Sequence, residues 1–290
     1  MGLSPALGLP LLLGGGCAAP LPELAWRGGD ARWPGNSPAA LAESLDAGVD
    51  LHLQLWLAGD RQPLVWGAPS LDPETCETIG GRDIDEDIWL VEQPADVLIA
   101  GWRCGARPAE DSPDAQLAPF ALMTLEQLID QLTLHEAAAA AAGARPAQLT
   151  LELGFYVNVS HEPAVIAAEV VERWRAAGRT DPLRVLSAEP AVLRAVEARA
   201  DAAGVAVERW LRWPTVPPLA GEGGWSAAAQ LGQALGVVSP ARRAEALGVD
   251  GISLPVAAAD RGALDAAAEA GLNVQIGPLD DGDDARVLRR

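Results

Sequence analysis

The stretch Ala25-Trp26-Arg27-Gly28-Gly29, followed by Pro34-Gly35-Asn36-Ser37, decides how the rest of the chain is read. A short apolar run over residues 24–27 ends in paired glycines. A Pro/Gly/Asn turn follows, then an Ala-rich helical pattern over 38–47 and a second apolar run over 51–57. Strand, turn, helix and strand in that order open a βαβ unit with a parallel sheet. Outward from this start the rhythm continues, with strands expected at 148–155, 183–186, 205–211, 251–254 and 272–276. Helices are expected at 125–142, 163–177, 190–203, 226–235, 240–247 and 262–270. Thr124 with Gln127 makes a capping box, and Ser239-Pro240 places Pro at a first helical position. One stretch breaks the rhythm. Residues 68–120 carry Pro, Gly and Asp clusters and a single strand-like run at 88–91, which reads as an inserted subdomain or a lid.

The 290 residues are 49% hydrophobic, enough for one large α/β barrel domain. Acidic residues outnumber basic ones 40 to 21, for a net charge of −19, and every basic residue is Arg. Such a surface repels phosphate backbones, so no nucleic-acid partner is expected. The 10 Trp against 2 Phe and 1 Tyr, with abundant Ala and Gly, look like a GC-rich coding bias rather than a functional signature.

Residues 1–17 form an uncharged leader whose apolar run, 7–13, is too short to span a bilayer and suits a signal peptide. Gly14-Gly15-Gly16-Cys17 resembles a bacterial lipoprotein cleavage site. The chain is therefore expected to be exported to the periplasm or cell envelope, with Cys17 as a lipidation site and the only route to a membrane. Residues 18–290 would then be the barrel, and Cys76 and Cys104 the remaining pair available for a disulfide.

The opening stretch resembles that of the glycerophosphodiester phosphodiesterase family, phospholipase C-like barrels whose first strand ends in His-Arg-Gly before a Pro-Glu-Asn-Ser/Thr turn. The likeness continues at Ala47-Gly48-Val49-Asp50, Pro63-Leu64-Val65, Pro69-Ser70-Leu71-Asp72, Leu151-Glu152-Leu153 and Ala270-Gly271-Leu272-Asn273-Val274. It implies a TIM-type (β/α) barrel with an insertion after the second strand. It also implies hydrolysis of phosphodiesters, with two His as general acid and base and three carboxylates around Ca²⁺ or Mg²⁺. This chain departs from that set. The two His positions fall on Trp26 and Gly67, the Glu of the turn on Gly35, and the second-strand carboxylates on His52 and Gln54. A basic position after the third strand falls on Gly154. Arg27, Asn36 and Glu152 remain, with Glu152 the one residual metal-ligand candidate.

Indole transfers no proton at neutral pH, and glycine has no side chain to do so. Each acid/base group is worth about 10²- to 10⁴-fold in rate, and a hard cation needs oxygen ligands. The expectation is a catalytically inactive barrel needing no cofactor, with Arg27, Asn36, His52, Gln54, Glu152 and His161 as ligand-binding candidates for a small phosphodiester or sugar. Arg27 and Glu152 are expected to meet as an ion pair. His161, after the third strand, is the spare acid/base candidate. Trp26, Trp66, Trp210 and Trp213 either line an aromatic pocket or fill the core. Two other readings stand beside this one: an active phosphodiesterase with relocated residues, using Ca²⁺ or Mg²⁺, and an exported interaction protein working through residues 68–120. At the C-terminus the last strand of an eight-stranded barrel is missing from the pattern, so the barrel is either incomplete or closed by an additional strand near 236–238.

Overall fold

Alternate residues of the run 51–57 serve two different layers, and that division organises the molecule. Leu51, Leu53, Leu55 and Leu57 join the large apolar cluster shared with the helices. His52, Gln54 and Trp56 stand outside that cluster, yet every residue of the strand is buried. Burial on both faces is the mark of a parallel barrel strand wrapped by helices. The structure, a computed structural model, describes residues 24–29, 32–106, 116–213, 239–255 and 258–276. The leader, Cys17 and the expected helix 226–235 lie outside these residues, as does the proposed extra strand near 236–238.

In chain order the barrel and its insertion comprise β1 (Leu24–Ala25), α1 (Pro38–Asp46), β2 (Asp50–Leu57), β3 (Pro63–Val65), β4 (Ser70–Leu71), β5 (Cys76–Thr78) and β6 (Ile88–Trp89). They continue with α2 (Ala95–Gly101), β7 (Trp102–Cys104), β8 (Met123–Thr124), α3 (Leu125–Ala142), β9 (Leu149–Leu153), α4 (Pro163–Ala176), β10 (Leu183–Ser187) and α5 (Pro190–Ala203). Then come β11 (Val207–Arg212), α6 (Pro240–Leu247), β12 (Gly251–Leu254), α7 (Arg261–Glu269) and β13 (Asn273–Ile276). The parallel strands run β1-β2-β9-β10-β11-β12-β13, with β3 added antiparallel to β2 and β8 antiparallel to β3. This is a TIM-type barrel with an insertion after its second strand. Among the described residues it has seven parallel strands, with β1 and β13 at the two ends of the order.

Local sequence sets the helix starts. Ser37 accepts from the Ala40 amide at the head of α1, and Thr124 with Gln127 forms the expected capping box of α3. Pro occupies the first position of α4 and α5, where its missing N–H costs nothing. Leu128, Leu132, Val170, Trp174, Val192 and Val196 then bury against the outer faces of the strands.

The insertion is an inserted subdomain with more regular structure than the single expected run. It holds the ribbons β4–β6 and β5–β7, helix α2 and a second apolar cluster of its own. Leu71, Cys76, Leu90, Leu98, Cys104 and Phe120 meet Trp56, Leu64 and Trp66 of the barrel rim in that cluster. Cys76 and Cys104 face each other across β5–β7 and form a disulfide. This corrects the expectation of membrane attachment through an acylated cysteine. The pairing consumes both described cysteines and leaves no free thiol for acylation among the described residues. No described helix is long and apolar enough to cross a membrane.

Candidate functional site

Strand alternation turns His52 and Gln54 away from the helices, and register aligns Gln54 with Glu152 on the neighbouring β9. These three side chains are almost fully buried. His52 Nε2 lies 3.0 Å from Glu152 Oε2, although neither ring nitrogen has a well-directed hydrogen-bond partner among the described residues. Gln54 Nε2 donates to the same carboxylate oxygen at 3.3 Å. The other oxygen, Oε1, accepts from Arg212 at the end of β11. The guanidinium seen on Glu152 is that of Arg212, a partner the sequence reading did not single out. Sequence reading ended that strand one residue short of Arg212.

Trp26 closes this cluster from the end of β1. Its ring stacks on His52 with centroids 3.7 Å apart and planes 2° from parallel. The Arg212 guanidinium stands 5.7 Å from the centre of the Trp26 ring, a cation–π distance. Trp26 thus packs against both His52 and Arg212. Arg27 and Asn36 both adopt positive φ, 47° and 59°. Asn36 Oδ1 accepts from the Gln54 amide at 3.0 Å and its own amide donates to the Arg27 carbonyl, so Asn36 ties the turn to β2.

Burial pushes the His52 imidazole below its ordinary value, and the positive charges of Arg212 and Arg27 add to this against the pull of Glu152. His52 is therefore neutral at pH 7. Burial alone would raise the Glu152 carboxyl, but the His52 contact and the Arg212 charge outweigh it and hold the group at about 2. The site core is an ionised carboxylate with both oxygens engaged. That arrangement does not fit a hard divalent cation. It offers one carboxylate, already held by a guanidinium, flanked by an amide and an imidazole. No group of three His, Cys, Asp or Glu suited to a metal occurs among the described residues.

The remaining candidates disperse. His161 sits apart from the cluster, its Nε2 2.8 Å from the Ala58 carbonyl, where it fastens the loop before α4 to the end of β2. Trp66 is buried in the insertion's cluster and donates its Nε1 to the Ser70 carbonyl at 2.7 Å. Trp213 belongs to the helix-facing core, and Trp210 packs flat against Gly251. Of these four tryptophans only Trp26 is half-buried, while Trp66, Trp210 and Trp213 are core filling, one of the two readings the sequence left open. Gly154 is bare because Trp56 needs the space. A Cβ there would fall within the indole, and Trp56 in turn stacks on exposed Tyr156 at 5.6 Å. Gly154→Ala is expected to cost about 1–2 kcal/mol of unfolding stability through this overpacking, read from chemical denaturation. Unchanged stability would show that the indole is not held there.

No protein-family model and no curated protein matches this chain. Solved structures do. A Silicibacter pomeroyi DSS-3 protein assigned as a glycerophosphoryl diester phosphodiesterase superposes with a TM-score of 0.71 at 17% identity, over 92% of this chain and 85% of that one. An Oleispira antarctica phosphodiesterase, solved with its product sn-glycerol-3-phosphate, gives 0.61 at 19% over 92% and 87%. A glycerophosphodiester phosphodiesterase from Agrobacterium tumefaciens gives 0.58 at 16% over 92% and 89%. At these identities the likeness establishes the shared barrel fold.

Proposed function

We propose that this chain is a catalytically silent relative of the glycerophosphodiester phosphodiesterases that keeps its barrel mouth as a binding site for a small ligand, a phosphodiester or a sugar. The observation carrying the reading is the packed cluster of Trp26, His52, Gln54, Glu152 and Arg212. In the resembled family this end of the barrel holds a cation and two titrating imidazoles. Here Trp26 and Gly67 replace the imidazoles, His52 and Gln54 replace two carboxylates, and Arg212 supplies the positive charge beside Glu152. A phosphodiester needs its non-bridging oxygens neutralised and a proton delivered to the leaving oxygen. Arg212 is committed to Glu152, and the neutral His52 is sealed beneath an indole.

His161, the spare acid/base candidate, is held by the Ala58 carbonyl away from the cluster, which weighs against relocated catalysis. The Cys76–Cys104 disulfide supports an oxidising compartment outside the cytoplasm. The test is hydrolysis of glycerophosphocholine with Ca²⁺ or Mg²⁺, run beside an active enzyme of the family. Turnover indistinguishable from the buffer blank is expected with either cation. Cation-dependent turnover that disappears in Glu152→Gln would overturn the reading.

A further inference from the structure

Two buried amides face one bare spot, and the orientation of each is fixed by its other hydrogen bond. Gln54 gives Nε2 to Glu152, and a carboxylate at this position only accepts, so the carbonyl Oε1 must point the other way. That Oε1 is buried and has no hydrogen-bond partner among the described residues. Asn36 accepts the Gln54 backbone N–H through Oδ1, which leaves its Nδ2 as the free end. Both free ends meet over Gly67. A Cβ placed on that residue would stand 3.0 Å from Gln54 Oε1 and 3.2 Å from Asn36 Nδ2. Gly67 is half-buried, whereas Gln54 and Asn36 are more than nine-tenths buried.

We propose that Gly67, Gln54 and Asn36 form a hydroxyl-binding niche, so that the ligand of the barrel mouth is a neutral sugar or polyol rather than a phosphodiester. This rests on the reading that the mouth binds a small ligand at all. A fixed acceptor beside a fixed donor matches a hydroxyl, which donates to one and accepts from the other. An anionic oxygen can use only the Asn36 donor, and it meets the Gln54 carbonyl with the Glu152 carboxylate behind it. A cation meets the Asn36 N–H. The Arg212 charge that would otherwise favour an anion is already directed at Glu152. An unpaired buried carbonyl also carries a desolvation cost that a ligand hydroxyl removes.

The experiment is saturation-transfer difference NMR on the full chain with glucose, myo-inositol and glycerophosphocholine as probes. It is repeated on Gly67→Ala, whose methyl occupies the niche, and on Gln54→Leu, which removes the acceptor. Saturation transfer avoids the general stabilisation that sugars give through exclusion from protein surfaces. Transfer to glucose or myo-inositol is expected, with binding weakened about tenfold in each variant that unfolds at the wild-type temperature. If Gly67→Ala fails to fold, Gln54→Leu alone decides. Transfer to glycerophosphocholine but to neither neutral probe would overturn the niche while leaving the ligand reading intact. Transfer to none of the three would overturn both. Neutral-probe binding untouched by either substitution would overturn the niche.

Discussion

Replacing Cys76 and Cys104 together by Ala is expected to lower unfolding stability by about 3–4 kcal/mol, the loop-entropy contribution for a bridge across 28 residues. The loss should be local first. The disulfide joins the ribbon β5–β7 inside the insertion, whose apolar cluster is separate from that of the helix-wrapped strands. The ribbon has only three residues a side, so little else holds its register. Amide exchange at residues 76–78 and 102–104 should accelerate at least about a hundredfold, as that free energy requires. Exchange in β2 and β9 should change far less. Equal acceleration in the barrel strands would show that the insertion and barrel unfold as one unit. Unchanged exchange in the ribbon would show that packing of Leu71, Leu90 and Leu98 suffices without the bridge.

What the sequence reveals tracks how far each element depends on its own residues. The buried runs 51–57 and 148–155 are legible because a strand packed on both faces is apolar nearly throughout. The helices from 125 and 163 are legible because a cap or a Pro marks the start. The insertion is not, since strands of two or three residues carry no usable period and their pairing is set by contacts distant in sequence. The candidate site divides in the same way. Glu152, His52 and Gln54 follow from the resemblance plus strand alternation, and register then brings them together. Arg212 is missed as the partner of Glu152 because its role depends on how far β11 extends and on distance across the barrel, neither of which residue spacing encodes. Composition explains why the tryptophans, left open between pocket and core by the sequence, fill the core. A chain with 2 Phe and 1 Tyr has few other large rings, and Trp66, Trp210 and Trp213 fill volume that Phe fills elsewhere. A carboxylate in the interior must be satisfied, and at Glu152 a guanidinium, an amide and an imidazole surround it.

Arg212→Met should therefore destabilise the protein by about 3 kcal/mol at pH 7, and the loss should vanish in acid. Glu152 is held at about 2 in the folded chain against an ordinary 4.5. That difference corresponds to about 3 kcal/mol of stability present while the carboxylate is ionised, supplied by the His52 contact first and the Arg212 charge with it. Arg212 is partly exposed, which softens its own contribution. The larger cost is the buried charge it leaves behind. For a carboxylate depressed on folding, the stabilisation is complete above the unfolded value and disappears as pH falls from about 5 toward 2. His52 acts in the same direction. Its folded value lies below 6.5, so the unfolded chain takes up a proton first and stability already begins to fall as pH drops through 6.5. The wild type should thus lose stability in two overlapping acid limbs, the first removed by His52→Gln. In Arg212→Met the Glu152 carboxyl rises toward neutrality, its limb moves to higher pH, and the curves of variant and wild type converge near pH 2. Urea denaturation from pH 7 to pH 2.5 measures both curves. A deficit that stays constant across that range would mean that Arg212 contributes only its packing on Trp26, and that the charge on Glu152 is satisfied by other means.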